Sequence, residues 1–225
     1  TTIHSILGKA GIPLVGGTGD GGKVSVNGTV YEDADVYAFV KNNGGKVAVY
    51  KENLYKPMPG YRFIASNTDR SRYYVGELNG RSSKQAYMDA LHISESNIIN
   101  QTFHNPLGKM NGQDICIISL KEVSGNGLCC YRQVNDSDVL VLLEEQDYNE
   151  ILDETLQRIR RDFNHISGVF SINCVFRYLL FSQEHHMEDY LKTMSTLGDH
   201  AGLIGFGEHY NQQFVNQTMT CVVFE

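Results

Sequence analysis

Apolar residues recur along this chain at two different intervals, and the switches between them mark out strands and helices. Between residues 147 and 165, Tyr148, Ile151, Leu152, Leu156, Ile159 and Phe163 return every three or four positions, which puts them on one face of a helix. Glu150, Asp153 and Glu154 lie early in it and Arg158, Arg160 and Arg161 late, matching the helix dipole and leaving the arginines as a solvated face. A second helix over 184–197 carries Met187, Tyr190, Leu191, Met194 and Leu197 on one stripe and stops at Gly198. Helical spacing also marks 82–92, more weakly 94–103, and 1–10, where Ile3, Ile6 and Leu7 share a face before Gly11. Elsewhere the period is two. Residues 34–41, 46–54, 61–67 and 72–78 read as one antiparallel meander, with Asn27-Gly28, Asn43-Gly44 and Asn79-Gly80 near its junctions as primed turns. Residues 114–121, 128–133 and 138–144 read as a second meander, turned first by Gly125-Asn-Gly127 and preceded by the turn Asn105-Pro-Leu-Gly108. The pattern predicts an α+β fold: antiparallel meanders and mixed sheets with helices packed on them.

The last sixty residues converge on one edge. An apolar strand over 168–174, the helix over 184–197 and an apolar strand over 201–206 have the order of a βαβ unit. A right-handed crossover between parallel strands puts both C-terminal ends on the same side of the sheet. Asn173, Cys174 and Arg177 are then expected to face Gly207 and Glu208. A final antiparallel strand over 217–224 brings Asn216 and Thr218 to the same place, where open α/β sheets hold ligands.

Composition narrows the partners. With 26 acidic against 19 basic residues the formal charge is -7, and no basic run exceeds Arg160-Arg161, so nucleic acid is not expected. No apolar run approaches the roughly 20 residues of a membrane helix, and no membrane partner is expected. The five cysteines are odd in number, lack a Cys-x-x-Cys pair and lie mostly in apolar strands, the usage of a reducing cytoplasm. No secretory signal is expected at the start. Gly17, Gly19 and Gly22 fit the spacing GxGxxG, but 23–28 continues as a strand into a hairpin rather than as the phosphate-binding helix that motif needs, so the segment reads as a loop. The tyrosines of the first meander read as cover on half-buried strands rather than as a base-stacking platform.

Several motifs, in this order, resemble the FIST family, bacterial modules named for F-box and intracellular signal transduction. Ile172-Asn-Cys-Val-Phe-Arg177, Gly205-Phe-Gly-Glu208 with Tyr210, and Asn216-Gln-Thr218 are similar to its C-terminal domain. Asn105-Pro-Leu-Gly108 looks like its Pro-Leu-Gly turn. Gly16-Gly-Thr-Gly-Asp20, Tyr55-Lys-Pro-Met-Pro-Gly60 and Val75-Gly-Glu-Leu-Asn-Gly80 look like the end of its N-terminal domain. The resemblance implies two parts, a FIST N-like remnant over 1–80 and a whole FIST C-like domain over 81–225, with the early N-terminal strands supplied by a longer chain or by a partner. It implies a sensory domain that binds a small molecule, such as an amino acid, and signals to an output domain or protein, with no cofactor. Where the family carries a run ending in Tyr-Gly-Glu, this chain has Gly202-Leu-Ile-Gly-Phe-Gly-Glu208, which removes polar groups from the pocket.

On these residues the expected ligand-binding set is Asn173, Cys174, Arg177, Glu208, Tyr210, Asn216 and Thr218. A zwitterion needs a carboxylate fork, which Arg177 can supply, and an ammonium acceptor, which Glu208 can supply. The plain alternative pairs Arg177 with Glu208 as a structural ion pair. A rival function is a hydrolase or amidase with Cys174 as nucleophile, its pKa lowered by Arg177, although the spacing brings neither His200 nor His209 to it as a base. A third reading is a scaffold without ligand. His185-His186 with Glu188 and Asp189 resembles a metal cluster, but adjacent helical residues diverge by about 100°, so no metal is expected. An open sheet edge left by missing N-terminal strands makes a homodimer the expected assembly.

Overall fold

The computed structural model describes residue 6, residues 10–112 and residues 114–225, and the helix expected over 1–10 falls outside that description. The chain separates into two compact units, one made of Thr1–Asn53 with Asp147–Glu225, the other of Leu54–Gln146. In chain order the strands are β1 (Val15–Gly17), β2 (Lys23–Val26), β3 (Thr29–Glu32), β4 (Val47–Asn53), β5 (Tyr55–Asp69), β6 (Tyr74–Leu78), β7 (Arg81–Ser82), β8 (Leu107–Asn111), β9 (Asp114–Ile118), β10 (Leu120–Ser124), β11 (Gly127–Cys130), β12 (Val139–Glu145), β13 (Gly168–Cys174), β14 (Asp199–Gly205), β15 (Glu208–Tyr210), β16 (Gln213–Val215) and β17 (Thr218–Phe224). The helices are α1 (Ser83–Leu91), α2 (Ile98–Gln101), α3 (Tyr148–Asp162), α4 (Val175–Gln183) and α5 (Met187–Met194). Mostly antiparallel sheets with helices packed on them make this the α+β fold expected.

The Leu54–Gln146 unit is one sheet in the order β10-β11-β6-β5-β12-β8-β9, with β7 beside β6. Its core joins Phe63, Leu78, Tyr87, Ile98, Leu107, Leu128 and Leu140. Helix α1 starts where Ser82 Oγ accepts from the amide of Gln85 at 3.2 Å, an N-cap. The expected second meander is corrected here. β9 and β10 are neighbours in sequence but stand at opposite ends of the sheet order, because β9 pairs with β8 and β11 with β6. Leu107-Gly108, expected in a turn, belong to β8: a Cβ on Gly108 would lie 2.9 Å from Leu143 Cδ1, so only glycine lets the two strands close. The register of the long strand β5 against β12 shifts between Arg62 and Pro57, so Pro59 falls within the bulge while Pro57 stays opposite Leu143.

The other unit contains the expected βαβ geometry. Its four-stranded sheet runs β14-β13-β17-β4, with β13 parallel to β14 and antiparallel to β17. A small sheet, β1-β15-β16, and the hairpin β2-β3 complete it. Asn27 and Gly28 turn that hairpin with φ of 52° and 77°, as primed turns require. Asp147 caps α3, accepting from the amides of Asn149 at 2.9 Å and Glu150 at 3.0 Å. Two expectations fail in this unit. Residues 34–41 form no strand: Val36, Tyr37, Phe39 and Val40 are exposed, and β-propensity alone does not make a strand where no neighbour pairs with it. Asn43 and Gly44 are not among the positive-φ residues, so that pair makes no primed turn.

Candidate functional site

The polar residues gather where β13 and β4 end and β17 begins. Across the sheet Asn173 of β13 lies opposite Met219 of β17, which lies opposite Glu52 of β4. Residues two apart on a strand share a face, so Ser171 joins Asn173. Helix α4 follows β13 without a break, Cys174 serving as its N-cap residue. Arg177, expected at a strand end, is therefore one turn into α4.

The seven expected residues form two sets, divided by the alternation of β13. On the Asn173 side Arg177 is 1% exposed and forms an ion pair with Glu52. Its guanidinium lies 4.6 Å from the Phe181 ring centroid and 5.4 Å from that of Tyr190, near enough for cation-π attraction. Phe181 follows Arg177 by four residues on one helix face, which is why the two meet. Asn173 Nδ2 donates to Tyr190 Oη at 3.0 Å. His186 packs its ring 4.8 Å from that of Phe181 and 5.3 Å from that of Tyr148, and burial, reinforced by Arg177, lowers its pKa.

On the other side Glu208 of β15 is fully buried and accepts from Thr218 Oγ1 at 2.8 Å and from the Thr218 amide at 3.3 Å. Burial raises its pKa from 4.5 to about 7 despite these bonds and Arg177, which work the other way. The Cys174 thiol is hydrogen-bonded to this carboxyl, and burial followed by the Glu208 charge pushes it up to about 12. Tyr210 lies further along β15, with the Lys51 ammonium 5.5 Å from its ring centroid. The Arg177–Glu208 ion pair weighed as an alternative is not formed: Glu52 takes the guanidinium instead.

Six buried polar atoms at this edge have no hydrogen-bond partner: Glu52 Oε2, Asn173 Oδ1, Arg177 Nε and Nη1, Glu208 Oε1 and Asn216 Oδ1. Buried polar groups are ordinarily satisfied, so such a concentration marks the place. A surface cavity of about 330 Å³ lined by Arg160, Phe163, Thr196 and Leu197 lies at the other end of β13 and contains none of the expected residues. Among the described residues no three His, Cys, Asp or Glu side chains converge as metal ligands, and no helix is long and apolar enough to cross a membrane.

Sequence reasoning missed Glu52, Ser171 and Tyr190. Glu52 shares its strand phase with Ala48 and Tyr50, a charge on an otherwise apolar side. Ser171 and Asn173 are two polar residues in phase within an apolar strand. Either irregularity was a usable signal.

Unsatisfied buried groups of both signs thus gather at one sheet edge of this α+β unit. The chain matches the FIST C domain over residues 84–211 and belongs to that family, whose members are signal-transduction sensory domains. No curated protein matches the chain, and no solved structure does.

Proposed function

We propose that this FIST protein binds a small zwitterion, such as an amino acid, at the edge of the four-stranded sheet and passes the binding event to an output domain or protein. The observation that carries the reading is the set of six unpartnered buried atoms. Each costs about 1–3 kcal/mol when left unsatisfied, a cost that a ligand with matching groups removes. Arg177 Nε and Nη1 are donors for a carboxylate, while Glu52 Oε2, Asn173 Oδ1, Glu208 Oε1 and Asn216 Oδ1 are acceptors for an ammonium group. Glu52 already neutralises Arg177, so a ligand of zero net charge suits the site better than an anion. The reading keeps Asn173, Arg177, Glu208, Asn216 and Thr218 as ligand-facing or supporting residues, with Cys174 and Tyr210 beside them. The division into a FIST N-like part over 1–80 and a FIST C-like part over 81–225, a bacterial cytoplasmic setting and a homodimer belong to the same proposal.

The Cys174 hydrolase loses support from chemistry: a nucleophilic cysteine needs a lowered pKa, and this thiol is pushed up to about 12. The test is a thermal-shift panel of amino acids and dipeptides. A ligand at 100 times its Kd adds about 2.7 kcal/mol, a rise of about 5–10 °C for a chain of this size, and Asn216→Ala should reduce that rise. Arg177→Ala is the wrong probe, because it strands Glu52 in the interior and alters the unliganded protein. A flat response across the panel refutes the reading, and turnover abolished by Cys174→Ala would install the hydrolase instead.

A further inference from the structure

Two parts of this chain are each half of a β-ladder. Residues 34–41 have the composition of a strand but pair with none among the described residues. Tyr37, Phe39 and Val40 stand 68%, 69% and 70% exposed, so the segment leaves an apolar patch open, the mark of an interaction surface. The Tyr37 and Phe39 rings, two residues apart, lie 5.4 Å from one another, on one side of the segment. Strand β14 has the converse defect. It ends the order β14-β13-β17-β4, and no strand among the described residues pairs with its outer side. Ala201, Gly202, Leu203 and Ile204 are exposed in succession, which leaves both faces of the strand open. Natural edges are guarded by charge, proline or a bulge. Those four positions carry no charge or proline, and β14 pairs with β13 without a register shift.

Laid antiparallel with Lys41 opposite Asp199, the segment matches this edge position by position. On one face Phe39 meets Ala201 and Tyr37 meets Leu203, beside exposed Phe170, the β13 neighbour of Ala201. On the other Val36 meets Ile204, Ala38 meets Gly202 and Val40 meets His200. Lys41 and Asp199 are opposite in sign, and aromatic, β-branched and oppositely charged pairs are what hold antiparallel strands together. The segment cannot lie along its own β14. Asn42 is held at the ends of β17 and β4, its Nδ2 donating to the carbonyls of Glu225 at 3.1 Å and Lys46 at 3.3 Å. A strand outside β14 lies three spacings beyond β17, about 14 Å, and Lys41 is one Cα step of about 3.8 Å from Asn42. We propose that residues 34–41 add as a strand to β14 of a second copy of this chain, each copy giving its segment and receiving the other's. The exchange is reciprocal, so it closes as a twofold dimer. The inference rests on the homodimer proposed above and names its contact. β14 runs through Phe206 and Gly207 into Glu208, so the contact adjoins the candidate ligand site.

The test is sedimentation equilibrium of the full chain and of two variants altered at exposed side chains: Tyr37→Ser with Phe39→Ser in the segment, and Leu203→Lys on the edge. The unaltered chain should be a dimer, and each variant alone should dissociate at least tenfold more readily. Mixed in equal amounts, the two variants should associate with one another, because the segment variant keeps a sound edge and the edge variant a sound segment. An affinity-tagged segment variant should therefore retain the untagged edge variant but not the untagged segment variant. If the segment variant dimerises like the unaltered chain, the proposal falls; its changes touch no strand, so this readout stands even where Leu203→Lys unfolds the protein. An edge variant that dimerises normally places the segment elsewhere and overturns the proposal equally, and a mixture no more associated than its components overturns the reciprocal exchange. A chain monomeric at every concentration refutes the homodimer reading together with this contact, whereas a dimer indifferent to these changes refutes the contact alone.

Discussion

Glu208 shows how burial makes a single carboxyl responsive near neutrality. Its pKa rises from 4.5 to about 7 because desolvation outweighs Thr218, Cys174 and Arg177. A carboxyl whose folded pKa is raised stabilises the fold while protonated. That contribution is fully present below pH 4.5, declines as pH rises, and is gone above about 7. Over the interval it amounts to at most about 3 kcal/mol, from 1.36 kcal/mol per pKa unit. Glu208→Gln keeps the shape and cannot ionise. Urea denaturation at pH 5 and pH 8 should therefore show the variant gaining on the wild-type chain at the higher pH; a difference between the two proteins that is the same at both pH values rules this out. Burial first, and this same carboxyl second, explain why Cys174, three residues before Arg177, is a poor nucleophile: the charge acting on the thiol is negative.

At the level of elements, the Arg177–Glu52 pair ties α4 to β4. A buried pair broken on one side leaves a bare charge and costs about 3–5 kcal/mol, whereas replacing both partners with apolar residues is often neutral or stabilising. Glu52→Leu alone should lose stability on that scale, and Glu52→Leu with Arg177→Met should recover most of it in urea titrations. Two single losses that simply add in the double variant would show that the pair is not coupled. This link was invisible in the sequence because α4 was, and because the strand read over 46–54 was placed in a meander with 61–67 whereas β4 pairs with β17. Val175-Phe-Arg-Tyr-Leu-Leu-Phe181 is apolar apart from Arg177, carries no period, and follows an apolar strand in β-forming residues, so no helix was read between 174 and 184. What was legible is what periodicity encodes: α3 from its stripe, the Asn27-Gly28 hairpin, and the parallel β13–β14 pair with β17 returning beside β13. That geometry placed Asn173, Arg177, Glu208 and Thr218 at one edge, but not on two faces of the sheet, since facing depends on where Arg177 leaves the strand.

For the whole molecule, the order of the chain and the order of its packing disagree. Only Leu54 separates β4 from β5, yet the division between compact units falls there. No glycine, proline or charge run marks it, so no reading of composition could have found it. The second division, between Gln146 and Asp147, coincides with the N-cap of α3. The two ends of the Leu54–Gln146 unit meet, the Gln146 amide donating to the Leu54 carbonyl at 2.8 Å, so this unit leaves and rejoins the rest of the chain at one point. Segments with adjoining ends and a core of their own fold when excised, and that core is present here. Residues 54–146 expressed alone should melt cooperatively and give a dispersed NMR spectrum. The segment matched by the family, residues 84–211, should not, because it omits β5 and β6 from one sheet and β4 and β17 from the other. If 84–211 folds and 54–146 does not, the family segment rather than the compact unit is what the chain folds by, and the division at Leu54 is wrong.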